Sequence, residues 1–161
     1  MAPSFILAVL SLSLLCSCQA DLVSKVCNET TNPPLCLQTL GSDPRAREAD
    51  LRGLAQIIIE KSVGAVQDVA TNAKSIGGKK ADTCVEVSGV AIDDLKQCTD
   101  YLKDLSRAAS SEISTAGSDA LRNVATCDHE FGDGEPAKLK AASQKAQDLI
   151  NVLLFIANNL I

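Results

Sequence analysis

Hydrophobic and small residues recur every three or four positions in four long blocks of this chain. That spacing is the 3.6-residue period of a helix with one buried face, so each block predicts an amphipathic helix. The blocks run from Leu51 to Ile76, Cys84 to Leu105, Ile113 to Phe131 and Leu139 to Leu160. Turn-forming residues separate them at Gly77-Gly78, around Ser106 to Ser110, and from Gly132 to Pro136. Because short connections force neighbouring helices to be antiparallel, the pattern predicts an all-α, up-down-up-down four-helix bundle over residues 43–161.

The first twenty residues stand apart from this pattern. Ser4 to Leu15 is an uncharged apolar stretch, and the small residues Cys18 and Ala20 occupy the −3 and −1 positions of a cleavage site before Asp21. We therefore predict a signal peptide over residues 1–20 and a mature domain over residues 21–161. Such a leader predicts a secreted, extracellular protein.

Charge and composition narrow the classes of function. Every charged side chain follows residue 20, and together they give a formal net charge of −5. An acidic surface disfavours nucleic acid and anionic membranes and suits a basic partner. Three Phe, one Tyr and no Trp leave few rings that could stack on bases or sugars. We expect no nucleic-acid partner, no membrane partner and no direct carbohydrate recognition.

Five cysteines remain after the predicted leader, namely Cys27, Cys36, Cys84, Cys98 and Cys127. In an oxidising compartment, five thiols indicate two disulfides and one leftover thiol. One pair is symmetric about the turn residues 31–34 and another about residues 105–106, so each pair can meet across its turn. Cys27–Cys36 and Cys84–Cys127 are therefore the favoured pairings. Cys98 lies on a predicted core stripe and is expected to be an inert buried thiol.

The sequence contains few residues that could catalyse a reaction. His129 is the only histidine, whereas a serine triad needs a histidine base and a metal site needs several convergent ligands. The neighbouring Asp93 and Asp94 point about 100° apart on a helix, so they predict a solvated face rather than an acid–base pair. We expect a protein that is not an enzyme and that uses no cofactor and no metal.

Several segments carry a family likeness. Cys27, Thr30, Pro33 and Cys36 form a Cys-x-x-Thr-x-x-Pro-x-x-Cys pattern. The other segments are Leu37-Gln38-Thr39-Leu40, Ser42-Asp43-Pro44-Arg45, Asp50-Leu51-Arg52-Gly53-Leu54-Ala55, Ser118-Asp119-Ala120-Leu121 and Thr126-Cys127. In their order and spacing these segments resemble the plant invertase and pectin methylesterase inhibitor family, over the whole predicted mature chain.

This resemblance implies a fold and a function. The fold would be a helical hairpin, here residues 21–42, followed by an antiparallel four-helix bundle with two disulfides. One branch of the family covers the substrate cleft of pectin methylesterases, which are commonly basic, and the other blocks acid invertases of the cell wall or vacuole. The Pro-Lys-Phe segment associated with invertase inhibition is missing, and the corresponding turn reads Leu105-Ser106-Arg107-Ala108-Ala109. We therefore predict a monomeric inhibitor of plant pectin methylesterase in the apoplast or cell wall, which forms a 1:1 complex; inhibition of acid invertase is the alternative.

The outward stripes of the second and third long helices form the candidate enzyme interface. Its residues are Asp93, Lys96, Asp100 and Lys103 on the second helix and Ser111, Thr115, Asp119 and Arg122 on the third. Periodicity alone describes an ordinary charged surface. The resemblance makes it the surface expected to touch the enzyme, through polar bonds and shape because aromatic anchors are few. Separately, Asn28-Glu29-Thr30 is an N-glycosylation sequon in a chain that is predicted to be exported.

Two other non-catalytic classes fit the sequence less well. A four-helix signalling ligand of the cytokine type needs long crossover connections, which the short predicted turns do not provide. A lipid carrier needs a large apolar cavity, whereas the many Ala and Ser residues at predicted core positions indicate a closed bundle.

Overall fold

The computed structural model describes residues 22–104 and 107–160, and within those stretches the chain is helical without a strand. Helix α1 covers residues 22–28. It is followed by α2 (Pro33–Gly41), a 3-10 turn (Pro44–Arg47), α3 (Leu51–Ile76), α4 (Lys79–Tyr101), α5 (Arg107–Phe131), a second 3-10 turn (Gly132–Gly134) and α6 (Ala137–Asn158). The predicted all-α class is confirmed. The predicted signal peptide, residues 1–20, lies outside the described residues.

A polar cap and two glycines set the limits of α3. Asp50 Oδ1 accepts a hydrogen bond from the Gly53 N–H at 2.8 Å, which satisfies one of the free donors of the first turn. At the other end, Gly77 and Gly78 have φ angles of 73° and 88°. These are left-handed values that glycine adopts without a steric penalty. Two residues therefore suffice to connect α3 to α4, as the predicted break required.

The connection between α4 and α5 differs from the prediction. Helix α4 ends at Tyr101 and α5 already begins at Arg107, so the break lies earlier than residues 106–110. Ser110, which suggested a turn, lies within α5. Its Oγ donates a hydrogen bond to the Ala157 carbonyl at 2.6 Å, near the end of α6. Because the hydroxyl has this partner on another helix, it does not compete with the local backbone bonds. The predicted turn midpoint at residues 105 and 106 lies outside the described residues.

The four long helices pack side by side. Helix α3 contacts α4 and α6, and α5 contacts the same two helices. Arg52 Nη1 donates to the carbonyls of Leu102 at 2.8 Å and Asp104 at 2.9 Å, so the start of α3 lies beside the end of α4. On the other side of the bundle, a Cβ added to Gly117 of α5 would stand 2.9 Å from Leu154 Cδ2 of α6. A side chain at position 117 would therefore require the Leu154 side chain to move.

Most positions of the predicted stripes are buried in the core. Leu51, Phe131 and Leu160 are half-buried and pack against it, and Leu105 lies outside the described residues. In α4 the predicted positions from Cys84 to Cys98 are all buried, and in α6 Leu149 and Leu153 are 1% and 0% exposed. The first stripe stops earlier than predicted, because Ile76 is 41% exposed while Ala73 is fully buried. Ile76 is the last residue of α3, next to the glycine turn, where the chain leaves the packed part of the bundle.

The N-terminal hairpin is tied to itself and to α6. A disulfide joins Cys27 of α1 to Cys36 of α2, with the two Cα atoms 5.3 Å apart. Between them, Asn32 Oδ1 accepts from the Leu35 N–H at 3.3 Å and starts α2. The Asn32 Nδ2 donates to Asp148 Oδ2 at 2.9 Å, on a carboxylate that is only 8% exposed. The side chain of Asn32 thus connects the turn of the hairpin to the bundle.

An ion cluster joins the first 3-10 turn to α3. Arg45 Nη2 lies 2.8 Å from Asp43 Oδ2 and 2.7 Å from Glu60 Oε2, and Lys61 Nζ lies 3.5 Å from the same Asp43 oxygen. The hydrogen bond from the Arg45 side chain holds the pKa of Asp43 well below its usual range, against the opposing effect of burial. The same guanidinium lowers the pKa of Glu60. The ionised carboxylates therefore stabilise this junction.

The buried face of α6 provides a test of the packing. We expect Leu153→Ala to lower the free energy of unfolding by about 2–5 kcal/mol, because truncation of a fully buried leucine loses apolar contact and leaves a cavity. Urea titration followed by circular dichroism measures the change. Lys145→Ala, at an exposed position of the same helix, is the control and should have little effect. A loss below about 0.5 kcal/mol for Leu153→Ala would contradict its place in the core.

The ion cluster predicts a pH dependence for Asp43→Asn. Because the pKa of Asp43 is lower in the folded chain than the ordinary value of 3.8, its stabilising effect is present above that value and is lost as the pH falls below it. We expect the variant to melt at a lower temperature than the wild type near neutral pH and the difference to shrink in acid. Melting curves across pH measure it, with the exposed Asp68→Asn as control. A difference that stays constant with pH would count against the charge as its cause.

Candidate functional site

Helices α4 and α5 form a braced pair. A disulfide joins Cys84 in α4 to Cys127 in α5, and their Cα atoms are 4.7 Å apart. Closer to the middle of both helices, Asn123 Nδ2 donates to Asp94 Oδ2 at 3.1 Å. A covalent bond and a hydrogen bond at different levels fix the two helices against each other, so the surface that they share is held in one geometry.

Cys98 adds a third contact between these helices. Its side chain is fully buried, and the thiol donates to the Ile113 carbonyl at 3.8 Å. Burial, assisted by the charge of Asp94, raises the pKa of Cys98 to about 12. The thiol therefore stays protonated at neutral pH and lacks the thiolate form that attacks electrophiles or disulfides.

The eight residues of the candidate interface all lie at the surface, and six of them form ion pairs three residues apart. These pairs are Lys96–Asp93 at 3.4 Å, Lys103–Asp100 at 2.7 Å and Arg122–Asp119 at 2.8 Å. Asp93 and Asp100 are each 73% exposed. Exposed pairs of this kind contribute little to stability. Their charges can therefore exchange an internal partner for an external one at small cost.

The remaining two residues of the candidate interface are neutral. Ser111 and Thr115 are exposed on α5, and the Thr115 hydroxyl donates to the Ser111 carbonyl at 3.0 Å. A hydroxyl bonded to its own helix still has lone pairs that can accept from a partner. These two residues extend the polar surface toward the start of α5.

The structure shows which flank of α4 faces α5. Asp94 lies on the α5 side, because it accepts a hydrogen bond from Asn123. On a helix of 3.6 residues per turn, Lys96 lies about 60° from Asp93 on the opposite side from Asp94. Lys96 therefore lies toward α3, and the surface shared by α4 and α5 is more acidic than the eight predicted residues suggest.

Sequence reasoning missed the contact between Asp94 and Asn123. It assigned Asp94 to a solvated face, whereas the structure places this side chain half-buried between the helices. Burial raises the pKa of Asp94, the hydrogen bond from Asn123 acts against this, and the charges of Asp119 and Asp93 raise it further. Asp94 directly precedes the buried Leu95, and Asn123 directly precedes the buried Val124. A position next to the buried stripe lies at the edge of the helix–helix contact, so the periodicity of the sequence did contain a sign of this placement.

The groups on this surface suit binding. His129 is exposed near the end of α5. Over residues 22–104 and 107–160, no three His, Cys, Asp or Glu side chains stand close enough to hold a metal ion. In the same stretches no helix is both long and apolar enough to cross a membrane. What α4 and α5 offer is a fixed set of charges and hydrogen-bonding groups that a partner surface can meet.

Comparison with known proteins decides which family has this architecture. A family model described as Plant invertase/pectin methylesterase inhibitor matches residues 21–156. The chain belongs to this family. A pectinesterase inhibitor from Actinidia deliciosa is 33% identical to it, over 85% of this chain and 78% of the relative. Pectinesterase inhibitor 3 from Arabidopsis thaliana is 29% identical over 87% of this chain and 79% of the relative.

Solved structures show that the inhibitor family shares the fold described above. A crystal structure of a mutant form of a pectin methylesterase inhibitor from Arabidopsis superposes with a TM-score of 0.72 at 20% identity, over 84% of this chain and 95% of the other. A second, from Arabidopsis thaliana, gives a TM-score of 0.63 at 21% identity, over 88% and 97% of the two chains. The resemblance predicted from the sequence is confirmed, and the curated relatives are named as inhibitors rather than enzymes.

The half-buried carboxylate predicts a stabilising substitution. Because the pKa of Asp94 is raised in the folded chain, ionisation of Asp94 opposes folding above its ordinary pKa and ceases to do so in acid. We expect Asp94→Asn to melt at a higher temperature than the wild type near neutral pH, with the gain shrinking as the pH falls through 3.8. Calorimetry across pH measures this. Glu86→Gln on the exposed side of α4 is the control, and an equal gain there would point to net charge instead.

Proposed function

We propose that this protein inhibits a plant pectin methylesterase as a monomer, by forming a 1:1 complex that covers the substrate cleft of the enzyme. The observation that carries the proposal is the 33% identity, over 85% of this chain, to a protein named pectinesterase inhibitor. In this mechanism the inhibitor performs no chemistry. It acts by occupying the space that the polymer substrate needs.

The α4–α5 surface is the proposed contact surface. Occlusion needs a body that keeps its shape, since any ordering on binding would lower the affinity. The Cys84–Cys127 disulfide and the Asp94–Asn123 hydrogen bond supply that rigidity. The contact residues would be the eight of the candidate interface, with Lys96 at the edge toward α3, together with Asp94; charged and polar groups would take the place of aromatic anchors.

Charge supports a basic enzyme surface as the partner. The chain carries a formal net charge of −5, and Asp93 and Asp100 project from α4 with most of their surface exposed. Complementary charge raises association rates more than it raises affinity.

Export to the apoplast or cell wall belongs to the same proposal. Residues 1–20 would act as the signal peptide, and the family match begins at residue 21. Two disulfides persist in an oxidising compartment and are rare in the cytosol. The expected localisation therefore agrees with the covalent structure of the domain.

Acid invertase is the less favoured target. The three curated relatives that match are all named for pectinesterase, and the Pro-Lys-Phe segment is missing from this sequence. Side-by-side titration of a plant pectin methylesterase and an acid invertase with the purified mature protein tests the choice. We expect esterase activity to fall linearly to a plateau at one inhibitor per enzyme and invertase activity to stay unchanged. Inhibition of invertase alone would reject the proposed target.

Charge reversal tests the contact surface. We expect Asp93→Lys with Asp100→Lys to slow association with a basic pectin methylesterase by about tenfold at low ionic strength, and less in salt, because exposed charges are screened. Stopped-flow or surface binding kinetics measure the rate, and circular dichroism should show unchanged helicity. Glu48→Lys with Asp68→Lys, which are exposed near the hairpin and on α3, makes the same change in net charge. Equal slowing in both double variants would argue against α4–α5 as the contact surface.

A further inference from the structure

The sequon Asn28-Glu29-Thr30 lies at the end of α1, where the hairpin turns toward α2. Asn28 is exposed, and its side chain makes no hydrogen bond within the part of the chain that the structure describes. An asparagine in this motif accepts an oligosaccharide when the chain passes through the secretory pathway. The folded surface has room for a glycan at this position.

The folded hairpin nevertheless holds the sequon in an unreactive arrangement. Thr30 Oγ1 donates to the Cys27 carbonyl at 2.7 Å, and the Thr30 N–H donates to the same oxygen at 3.1 Å. Glu29 and Thr30 lie in the turn that follows α1, and this turn is closed by the two hydrogen bonds to the Cys27 carbonyl. The proton of the Thr30 hydroxyl is therefore engaged by the Cys27 carbonyl, although a sequon is recognised through the asparagine amide and this hydroxyl together.

The neighbouring disulfide restrains this arrangement. Cys27 precedes Asn28 directly, is fully buried, and is bonded to Cys36 nine residues later. Once this small loop is closed, the sequon cannot extend without breaking the hairpin. Before closure, residues 27–36 are free to adopt the conformation that a transferase needs.

We infer that Asn28 is an N-glycosylation site that is modified only while the hairpin is open, before the Cys27–Cys36 disulfide forms. This inference rests on the proposed export of the chain. The donor is an oligosaccharide carried on a polyprenyl pyrophosphate. The bond from Asn28 Nδ2 to sugar C1 forms as the bond from C1 to the pyrophosphate oxygen breaks, and the amide loses one proton. Disulfide formation and sugar transfer therefore compete for the same segment.

The glycan would lie away from the proposed contact surface. Helix α2 packs against α3 and α6, and Val26 of α1 lines a cleft together with Leu51 of α3 and Phe155 of α6. The hairpin thus covers the side of the bundle opposite to α4 and α5. Modification of Asn28 is expected to leave inhibition of the esterase unchanged.

Expression of the full chain in cultured plant cells tests the site. Glycopeptide mass spectrometry of the combined medium and microsomal fractions, with and without peptide N-glycosidase, should find a fraction of Asn28 modified. Asn28→Gln and Thr30→Ala should abolish the modification, and Thr30→Ser, which keeps the hydroxyl, should retain it. If Asn28 is unmodified in wild-type protein whose Cys84–Cys127 bond has formed, Asn28 is not a glycosylation site and the inference is overturned. Absence of the chain from both fractions would overturn the export on which the inference rests.

The competition with disulfide closure is tested by a matched pair of cysteine variants. Cys36→Ser keeps the sequon intact and prevents closure of the hairpin, so the modified fraction of Asn28 should rise. Cys127→Ser removes the other disulfide and likewise leaves one unpaired cysteine, but it should leave the fraction unchanged. An equal rise in both variants, or no rise in either, would overturn the proposed order of events. Inhibition of the esterase is measured on refolded protein that carries no glycan. A failure of the proposed inhibition is therefore distinguished from a failure of the proposed glycosylation.

Discussion

The cross-link between Cys84 and Cys127 is the constraint on which the α4–α5 surface depends. It spans 43 residues of sequence, and loop-closure entropy gives such a bond about 4 kcal/mol of stabilisation. The core of these helices contains small residues such as Ala91 and Ala120, whose methyl groups bury little area each. Small residues allow close approach but leave the relative rotation of two helices weakly specified. The disulfide restricts that rotation, and the hydrogen bond from Asn123 to Asp94 adds a second link between the same two helices.

Acidic side chains serve two different purposes at the two sides of the molecule. At the junction of the hairpin and α3, Asp43 is paired with Arg45 and lends stability to the fold. On the α4–α5 side, Asp93, Asp94 and Asp119 lie close enough for their charges to oppose one another. Natural proteins accept such local conflict where a surface has a function to perform. The contrast separates the structural carboxylates from those proposed for recognition.

Most of the fold could be predicted from the sequence, because the helices show a local periodicity and the cysteine pairs lie symmetrically about predicted turns. The period of α6, with Leu149 and Leu153 on one face, was sufficient to place that helix, and symmetry about two turns indicated both cysteine pairs. Sequence reasoning misplaced the start of α5, because Ser110 suggested a turn in the sequence, whereas in the structure it lies within the helix and its hydroxyl donates to the Ala157 carbonyl of α6. It also missed the environment of Asp94, since periodicity gives a helix an inside and an outside but does not tell which flank meets which neighbour.

The connection after α4 lies inside the loop that Cys84 and Cys127 close. A protease that cuts the backbone once between these two residues produces two fragments that remain one covalent molecule. The same holds for a cut between Cys27 and Cys36 in the hairpin. Arg52, which donates to the carbonyls of Leu102 and Asp104, would still hold the residues just after α4 against the start of α3. A protein proposed to work outside the cell is not replaced by synthesis where it acts. The two disulfides would keep such a protein in one piece after a single cut inside either loop.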